Sequence, residues 1–164
     1  MVKSEGDLPQ IYLRPGEMYL AREPSVLSTI LGSCVSVTFW SQKLSIGALC
    51  HAMLPHCPET KSDAERLANR WQYVDFCIRD LARQFDSLGV QRRDVQVKVF
   101  GGADVLYVGE DDLRPTVGKQ NCDTALKVLD EENFVVLAAD IGQTFGRKIR
   151  FNTASGRVLL ARLT

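Results

Sequence analysis

The sequence lacks an excess of either charge, because 20 Lys and Arg residues balance 20 Asp and Glu residues. A protein whose main partner is nucleic acid or an anionic membrane needs a basic surplus, so the composition argues against both partners. The sequence also lacks a recognisable secretory signal, since Glu5 and Asp7 stand where its apolar core would begin. Residues 24–42 carry no charge and are numerous enough to span a membrane, but they include too many Ser and Thr residues for a membrane-spanning segment. These absences predict a cytoplasmic protein without membrane insertion.

Histidine is scarce, and no two cysteines form a C-x-x-C pair. The five cysteines are an odd number, which argues against a disulfide framework in a reducing compartment. The segment Cys50-His51-x4-His56-Cys57 offers four residues that could bind zinc. Cys50 and His51 would point to opposite faces of a strand, however, and could not easily converge on one ion. This geometry argues against a zinc site.

The length and the order of the apolar patterns predict the fold class. A chain of 164 residues with 45% hydrophobic and 24% charged residues suits a single globular domain over residues 1–164, with residues 1–10 as a loose leader. Strand-like segments outnumber helical ones and occur in consecutive runs, which favours layered α+β packing over regular βαβ alternation. The predicted strands lie near residues 11–13, 18–21, 46–53, 95–100 and 134–139, with a closing hairpin over 145–149 and 158–163. Residues 26–40 are predicted as a strand, a turn at Gly32-Ser33 and a second strand that begins at Cys34.

Two segments show helical periodicity. Ser62-x-x-Glu65 is a capping box, and the apolar stripe that follows it continues until Gly89, which predicts one helix over 62–89. A second helix is predicted from about Lys119 to Glu132, with apolar residues on one side.

The segment Leu31-Gly-Ser-Cys-Val35 is the first candidate for chemistry. A cysteine that follows Gly-Ser at a tight turn can expose its sulfur and leave backbone N–H groups free to stabilise an oxyanion. A cysteine nucleophile needs a base, and His51 lies on the strand predicted to pair with the one that begins at Cys34. The alternative for Cys34 is an inert buried thiol. Phe100-Gly-Gly-Ala103 lacks the spacing of a phosphate-binding loop, and we interpret it as a strand end where glycines permit close backbone packing.

Several of these motifs together resemble one protein family. Leu31-Gly-Ser-Cys-Val35, Gly47-Ala-Leu-Cys-His-Ala-Met-Leu-Pro55 and Phe100-Gly-Gly-Ala103 resemble the CheD family of chemoreceptor glutamine deamidases. The similarity continues through Asn121, Asp140-Ile-Gly142 and Arg147 to Asn152. It implies a layered α/β/β sandwich with mixed sheets and outer helices, related to bacterial toxin deamidases.

The resemblance also implies a Cys-His-Thr mechanism. Carried over, Cys34 is the nucleophile and His51 is the base that later protonates the departing ammonia. The family threonine falls on Ser28, which lies an even number of residues from Cys34, and Thr29 next to it is the alternative. A hydroxyl at this position would orient the imidazole and fix its tautomer.

The family further implies chemoreceptor helices as protein substrate, a CheC-type phosphatase as partner, and methylesterase activity at the same centre. Two other functions stay open. The chain could be a catalytically weak module that binds a CheC-type phosphatase, which the serine at position 28 favours, or a cysteine hydrolase or acyltransferase acting on another amide or ester.

Overall fold

The computed structural model describes residues 3–105 and 114–164. Within these ranges the chain forms nine strands and three α-helices, together with short 3-10 turns. The strands are β1 (Gln10–Tyr12), β2 (Met18–Ala21), β3 (Val26–Leu31), β4 (Val35–Ser41), β5 (Ile46–Cys50), β6 (Val95–Gly101), β7 (Val136–Ile141), β8 (Gly146–Asn152) and β9 (Val158–Leu163). The helices are α1 (Asp63–Ala68), α2 (Val74–Ser87) and α3 (Val117–Glu131).

The strands form two sheets of mixed direction. One has four strands in the order β1-β3-β8-β9, and the other has five in the order β2-β5-β4-β6-β7. Each sheet contains one parallel pair, β1–β3 in the first and β6–β7 in the second, and its other pairs are antiparallel. The consecutive strands β3 and β4 therefore belong to different sheets, and the turn at Gly32-Ser33 carries the chain from one to the other.

Two apolar cores make the arrangement a layered sandwich. The five-stranded sheet packs one face against α2 and α3, through residues such as Val37, Phe39, Ile78 and Leu129. Its other face packs against the four-stranded sheet, where Trp40 joins side chains from both sheets. Because β4 is covered on both faces, all seven of its residues are buried. This confirms the predicted α+β sandwich with helices outside.

The predicted leader over residues 1–10 is packed where the structure describes it. Leu8 is buried, and the Glu5 carboxylate lies 3.1 Å from the Arg150 guanidinium of β8. Strand β1 already begins at Gln10 and pairs with β3. Residues 1–2 lie outside the described residues.

The single helix predicted over 62–89 is wrong. The capping box at Ser62 and Glu65 is confirmed, but α1 ends at Ala68 and buries none of its residues. The chain becomes extended at Tyr73 because the Gln72 carbonyl accepts hydrogen bonds from the backbone N–H groups of Met53 and Leu54. Pairing with the segment just after His51 thus outcompetes the helical ladder, and α2 begins only at Val74.

The other predicted elements are confirmed, with shifted ends. Helix α3 begins at Val117, because the Thr116 hydroxyl caps it by accepting a hydrogen bond from the Lys119 N–H. Strand β7 runs over Val136–Ile141, and β8 and β9 form the closing hairpin.

Candidate active site

His51 lies directly after β5 and is held by a hydroxyl from the opposite sheet. Its Nδ1 atom lies 2.6 Å from the Oγ1 atom of Thr29 in β3. The same hydroxyl donates its proton to the Leu13 carbonyl at 2.8 Å. Since a hydroxyl has one proton and a carbonyl can only accept, Thr29 must accept a hydrogen bond from Nδ1–H. The network therefore assigns the proton to Nδ1 and leaves the lone pair on Nε2.

The hydroxyl beside the His51 ring belongs to Thr29 and not to Ser28, which was the first choice from the sequence. Strand β3 pairs Ser28 with Tyr12 on one side and Arg150 on the other, both of them exposed. Successive side chains of a strand point to opposite faces, so Ser28 faces outward when Thr29 faces the second sheet. Thr29 is fully buried.

The backbone of His51 is fixed by the turn between β1 and β2. The N–H of His51 donates to the Glu17 carbonyl at 2.9 Å, and the Gly16 N–H donates to the His51 carbonyl at 2.8 Å. Both the ring and the backbone of His51 are therefore held in place before any substrate arrives.

Cys34 lies on the same side of the five-stranded sheet as His51. An isolated bridge between Val35 and Ala52 continues the antiparallel register of β4 and β5. In that register Ser36 is opposite His51, and Cys34 is its diagonal neighbour, a relationship that spans roughly 7–8 Å between Cα atoms. Cys34 is half-buried and packs against the core between the sheets. The sheet register thus places Cys34 on the same face as His51, whose ring contacts Thr29.

Three consecutive carbonyl groups fix the turn that carries Cys34. The Gly32 carbonyl accepts from the Ala103 N–H at 2.9 Å, and the Cys34 carbonyl accepts from the Gly102 N–H at 2.8 Å. Between them, the Ser33 carbonyl accepts from the side-chain amide of Asn121 at 2.9 Å. The sequence resemblance includes Asn121, but nothing in the sequence pattern reveals this contact.

The Gly101-Gly102 pair permits this close approach, as predicted for a strand end. Gly101 has a φ of 104°, and a Cβ atom there would lie 2.2 Å from the Cys34 carbonyl oxygen. Behind the pair, Gly142 donates its N–H to the Gly101 carbonyl and accepts a hydrogen bond from the buried Arg147 guanidinium at 2.9 Å.

Both reactive groups are neutral near pH 7. Burial lowers the pKa of His51 to about 4, although the Leu13 carbonyl and the Glu17 carboxylate favour the charged ring. Burial also raises the pKa of the Cys34 thiol, and the backbone N–H of Cys34 itself partly offsets the rise. A neutral imidazole can accept a proton from a neighbouring thiol, so this arrangement is chemically capable of general-base activation.

Alkylation of Cys34 by iodoacetamide is therefore expected to accelerate about tenfold per pH unit between roughly pH 6 and 8, without a plateau, because only the thiolate reacts and burial raises the pKa of the thiol. Mass spectrometry of the wild-type protein and Cys34→Ala would identify the labelled cysteine. A rate that is already constant near neutral pH would contradict this, because it would show a preformed thiolate–imidazolium pair.

A cavity with a volume of about 470 Å³ opens beside Cys34. Its wall is mainly apolar and includes Leu54, Val105 and Val117, each of which is about two-fifths exposed, with Asp104 as its charged residue among the described ones. A side chain of a protein substrate could reach the sulfur through this opening.

The other cysteines and His56 do not join the site. Cys50 faces the helix-side core and His51 faces the opposite sheet, as the strand alternation predicts. In residues 3–105 and 114–164, no three His, Cys, Asp or Glu residues are grouped so that they could hold a metal ion. Across the same ranges no helix is long and apolar enough to cross a membrane.

Comparison with known proteins places the chain in a family. Residues 53–162 match the family described as CheD chemotactic sensory transduction. The probable chemoreceptor glutamine deamidase CheD 2 of Geobacter sulfurreducens is 46% identical over 156 residues, which cover 95% of this chain and 91% of that protein. The chain belongs to the CheD family.

Another CheD relative and a solved structure extend the comparison. The probable chemoreceptor glutamine deamidase CheD of Maridesulfovibrio salexigens is 35% identical, with 99% of this chain and 97% of that protein covered. The crystal structure of the hypothetical protein YfiH of Bacillus licheniformis matches with a TM-score of 0.52 and 11% identity, over 77% of this chain and 51% of that one. This similarity shows a shared fold between YfiH and the CheD chain, without bearing on activity.

Proposed function

We propose that this protein is a protein-glutamine deamidase that converts glutamine side chains of chemoreceptors to glutamate. The observation that carries the proposal is the buried Thr29–His51 hydrogen bond beside the half-buried Cys34, in a chain whose CheD relatives are named as chemoreceptor glutamine deamidases. The chemistry is amide hydrolysis with a cysteine nucleophile, and no cofactor takes part.

The first half of the reaction forms a thioester. Nε2 of His51 accepts the Cys34 proton as the sulfur attacks the carboxamide carbon of the glutamine, and the carbonyl electron pair moves to the oxygen. Backbone N–H groups at Ser33 and Cys34 stabilise that oxyanion. The intermediate collapses, the carbon–nitrogen bond breaks, and His51 returns its proton to the leaving ammonia.

The second half regenerates the enzyme. His51 removes a proton from water as the water attacks the thioester carbon, and the carbon–sulfur bond then breaks to give glutamate and the Cys34 thiol. Thr29 keeps Nδ1 protonated throughout, so that Nε2 is the atom that exchanges protons.

The binding-module alternative loses the feature that favoured it. The serine at position 28 suggested a weakened triad, but the hydroxyl at His51 comes from Thr29. A CheC-type phosphatase as partner, and methylesterase activity at the same acyl centre, remain predictions from the family resemblance.

The test is deamidation of a purified chemoreceptor cytoplasmic fragment, followed by ammonia release and by peptide mass spectrometry at each glutamine. The wild-type protein is expected to convert specific glutamines to glutamate, and Cys34→Ala is expected to lose roughly 10³-fold or more of the rate, because the nucleophile is gone. Cys57→Ala is the matched control, since Cys57 is also half-buried and does not line the cavity beside Cys34.

Receptors from the same organism that remain unmodified by the wild-type protein would contradict the proposal. Conversion that persists in Cys34→Ala would contradict the assignment of the nucleophile.

A further inference from the structure

The side chain of Asn121 in α3 joins the two chain segments that carry the reactive residues. Its Nδ2 atom donates to the Ser33 carbonyl at 2.9 Å, next to Cys34, and to the Met53 carbonyl at 3.0 Å, two residues after His51. Asn121 is fully buried. Both protons of one amide group are thus used on the active-site segments.

The orientation of this amide is determined by its acceptors. If Oδ1 and Nδ2 were exchanged, an oxygen would face two carbonyl oxygens, which is repulsive. In the observed orientation Oδ1 is buried and has no hydrogen-bond partner among the described residues. The donor side of the amide is therefore the side that the fold uses, and an aspartate of the same shape could not replace it.

The hydrogen bond to Ser33 also fixes the direction of the Cys34 N–H. In a trans peptide the carbonyl and the N–H that share a plane point in opposite directions. Asn121 holds the oxygen end of the Ser33–Cys34 peptide, and the N–H end faces the Cys34 sulfur, where it partly offsets the raised pKa of the thiol. That position is where the oxyanion of an acyl-transfer intermediate develops.

We infer that Asn121 is a positioning residue that aims the Cys34 N–H at the oxyanion, an inference that rests on the cysteine acyl chemistry of the proposed function. Gly118, one helical turn earlier, supports this contact by packing α3 against the Gly102-Ala103 backbone, where a Cβ atom would lie 2.5 Å from the Ala103 oxygen. Through these two contacts, helix α3 fixes the position of the turn that carries Cys34.

The test compares two reactions of the same sulfur. Acylation by p-nitrophenyl acetate passes through a tetrahedral oxyanion, whereas alkylation by iodoacetamide is a direct displacement that develops none. Asn121→Asp and Asn121→Leu are expected to lower the Cys34 acylation rate at least about tenfold. This loss is smaller than the loss from removing an oxyanion donor altogether, because the variants keep the Cys34 N–H and only release its direction. Alkylation is expected to stay within about threefold of the wild-type rate, because no oxyanion forms.

Gln120→Glu is the matched control, because it makes the same amide-to-carboxylate change on the adjacent residue, whose amide bonds the Pro115 carbonyl. It is expected to leave both rates unchanged. Asn121→Leu keeps the branching and the number of side-chain heavy atoms but is bulkier, so thermal melting of each variant is needed to report whether it folds.

With folded proteins, three results would overturn the inference. They are normal acylation in a folded Asn121 variant, equal losses of acylation and alkylation, and a wild-type protein that is alkylated without being acylated. Unfolding of both Asn121 variants while Gln120→Glu folds would likewise replace the positioning role with a purely structural one. A protein that is acylated as expected but leaves receptors unmodified overturns the proposed substrate and keeps the role of Asn121.

Discussion

Replacing Thr29 with valine is expected to lower the rate of glutamine deamidation by roughly 10²-fold or more, while Ser28→Ala leaves it within about twofold. Valine keeps the shape of threonine and removes the acceptor that holds Nδ1–H of His51. Without it the imidazole can adopt the other tautomer, in which Nε2 is protonated and cannot accept the Cys34 proton. Rates on a receptor fragment, measured with both variants, check the expectation.

Thr29→Ser is the control that separates the hydroxyl from the methyl group. It keeps Oγ, so we expect it to recover most of the activity that Thr29→Val loses. A large loss in Ser28→Ala combined with a normal rate in Thr29→Val would refute the assignment and return the third position to Ser28.

Gly101→Ala is expected to destabilise the protein by about 3–5 kcal/mol, measured as the free energy of unfolding in urea. The φ of 104° is unfavourable for alanine, and the new methyl group would lie 2.2 Å from the Cys34 carbonyl oxygen. The turn must move to relieve the clash, so we also expect any molecules that fold to lose Cys34-dependent acylation.

Gly89→Ala is the matched control for this change. Gly89 also has a positive φ, of 76°, but among the described residues none beyond its chain neighbours has an atom within 4 Å of the added Cβ. We expect a cost of about 1–2 kcal/mol from backbone strain alone and no effect on the site. Equal costs at the two glycines would refute the claim that Gly101 is required by the close approach of Cys34.

Local chemistry made part of the fold and of the site predictable from the sequence. The capping box at Ser62 and the alternation around Val35 depend on near neighbours in the chain, and both are confirmed. The hairpin of β4 and β5 predicted that Cys34 and His51 share a side, because the antiparallel register follows from a short connection.

Contacts between layers were not predictable in the same way. The choice of Ser28 assumed that positions 28 and 34 lie on one regular strand, where an even spacing places two side chains on the same face. Strands β3 and β4 belong to facing sheets, however, so the spacing across the turn between them does not decide which side chains share a face. The break before Val74 depends on pairing with Leu54, a contact that helical periodicity cannot reveal. Asn121 reaches Ser33 across 88 positions, which no local pattern encodes.

The pairing of β3 has a consequence for the order in which the site is assembled during synthesis. Its sheet partners are β1, which contributes three residues, and β8, which pairs along all six residues of β3. Cys34 and His51 leave the ribosome long before β8 does. The growing chain therefore carries a β3 that has only the short β1 as its sheet partner, and we expect Thr29 to be fixed beside His51 only once β8 has been made. Nascent chains should consequently expose the cysteine without the aligned base, which delays hydrolytic competence until translation of β8 is complete.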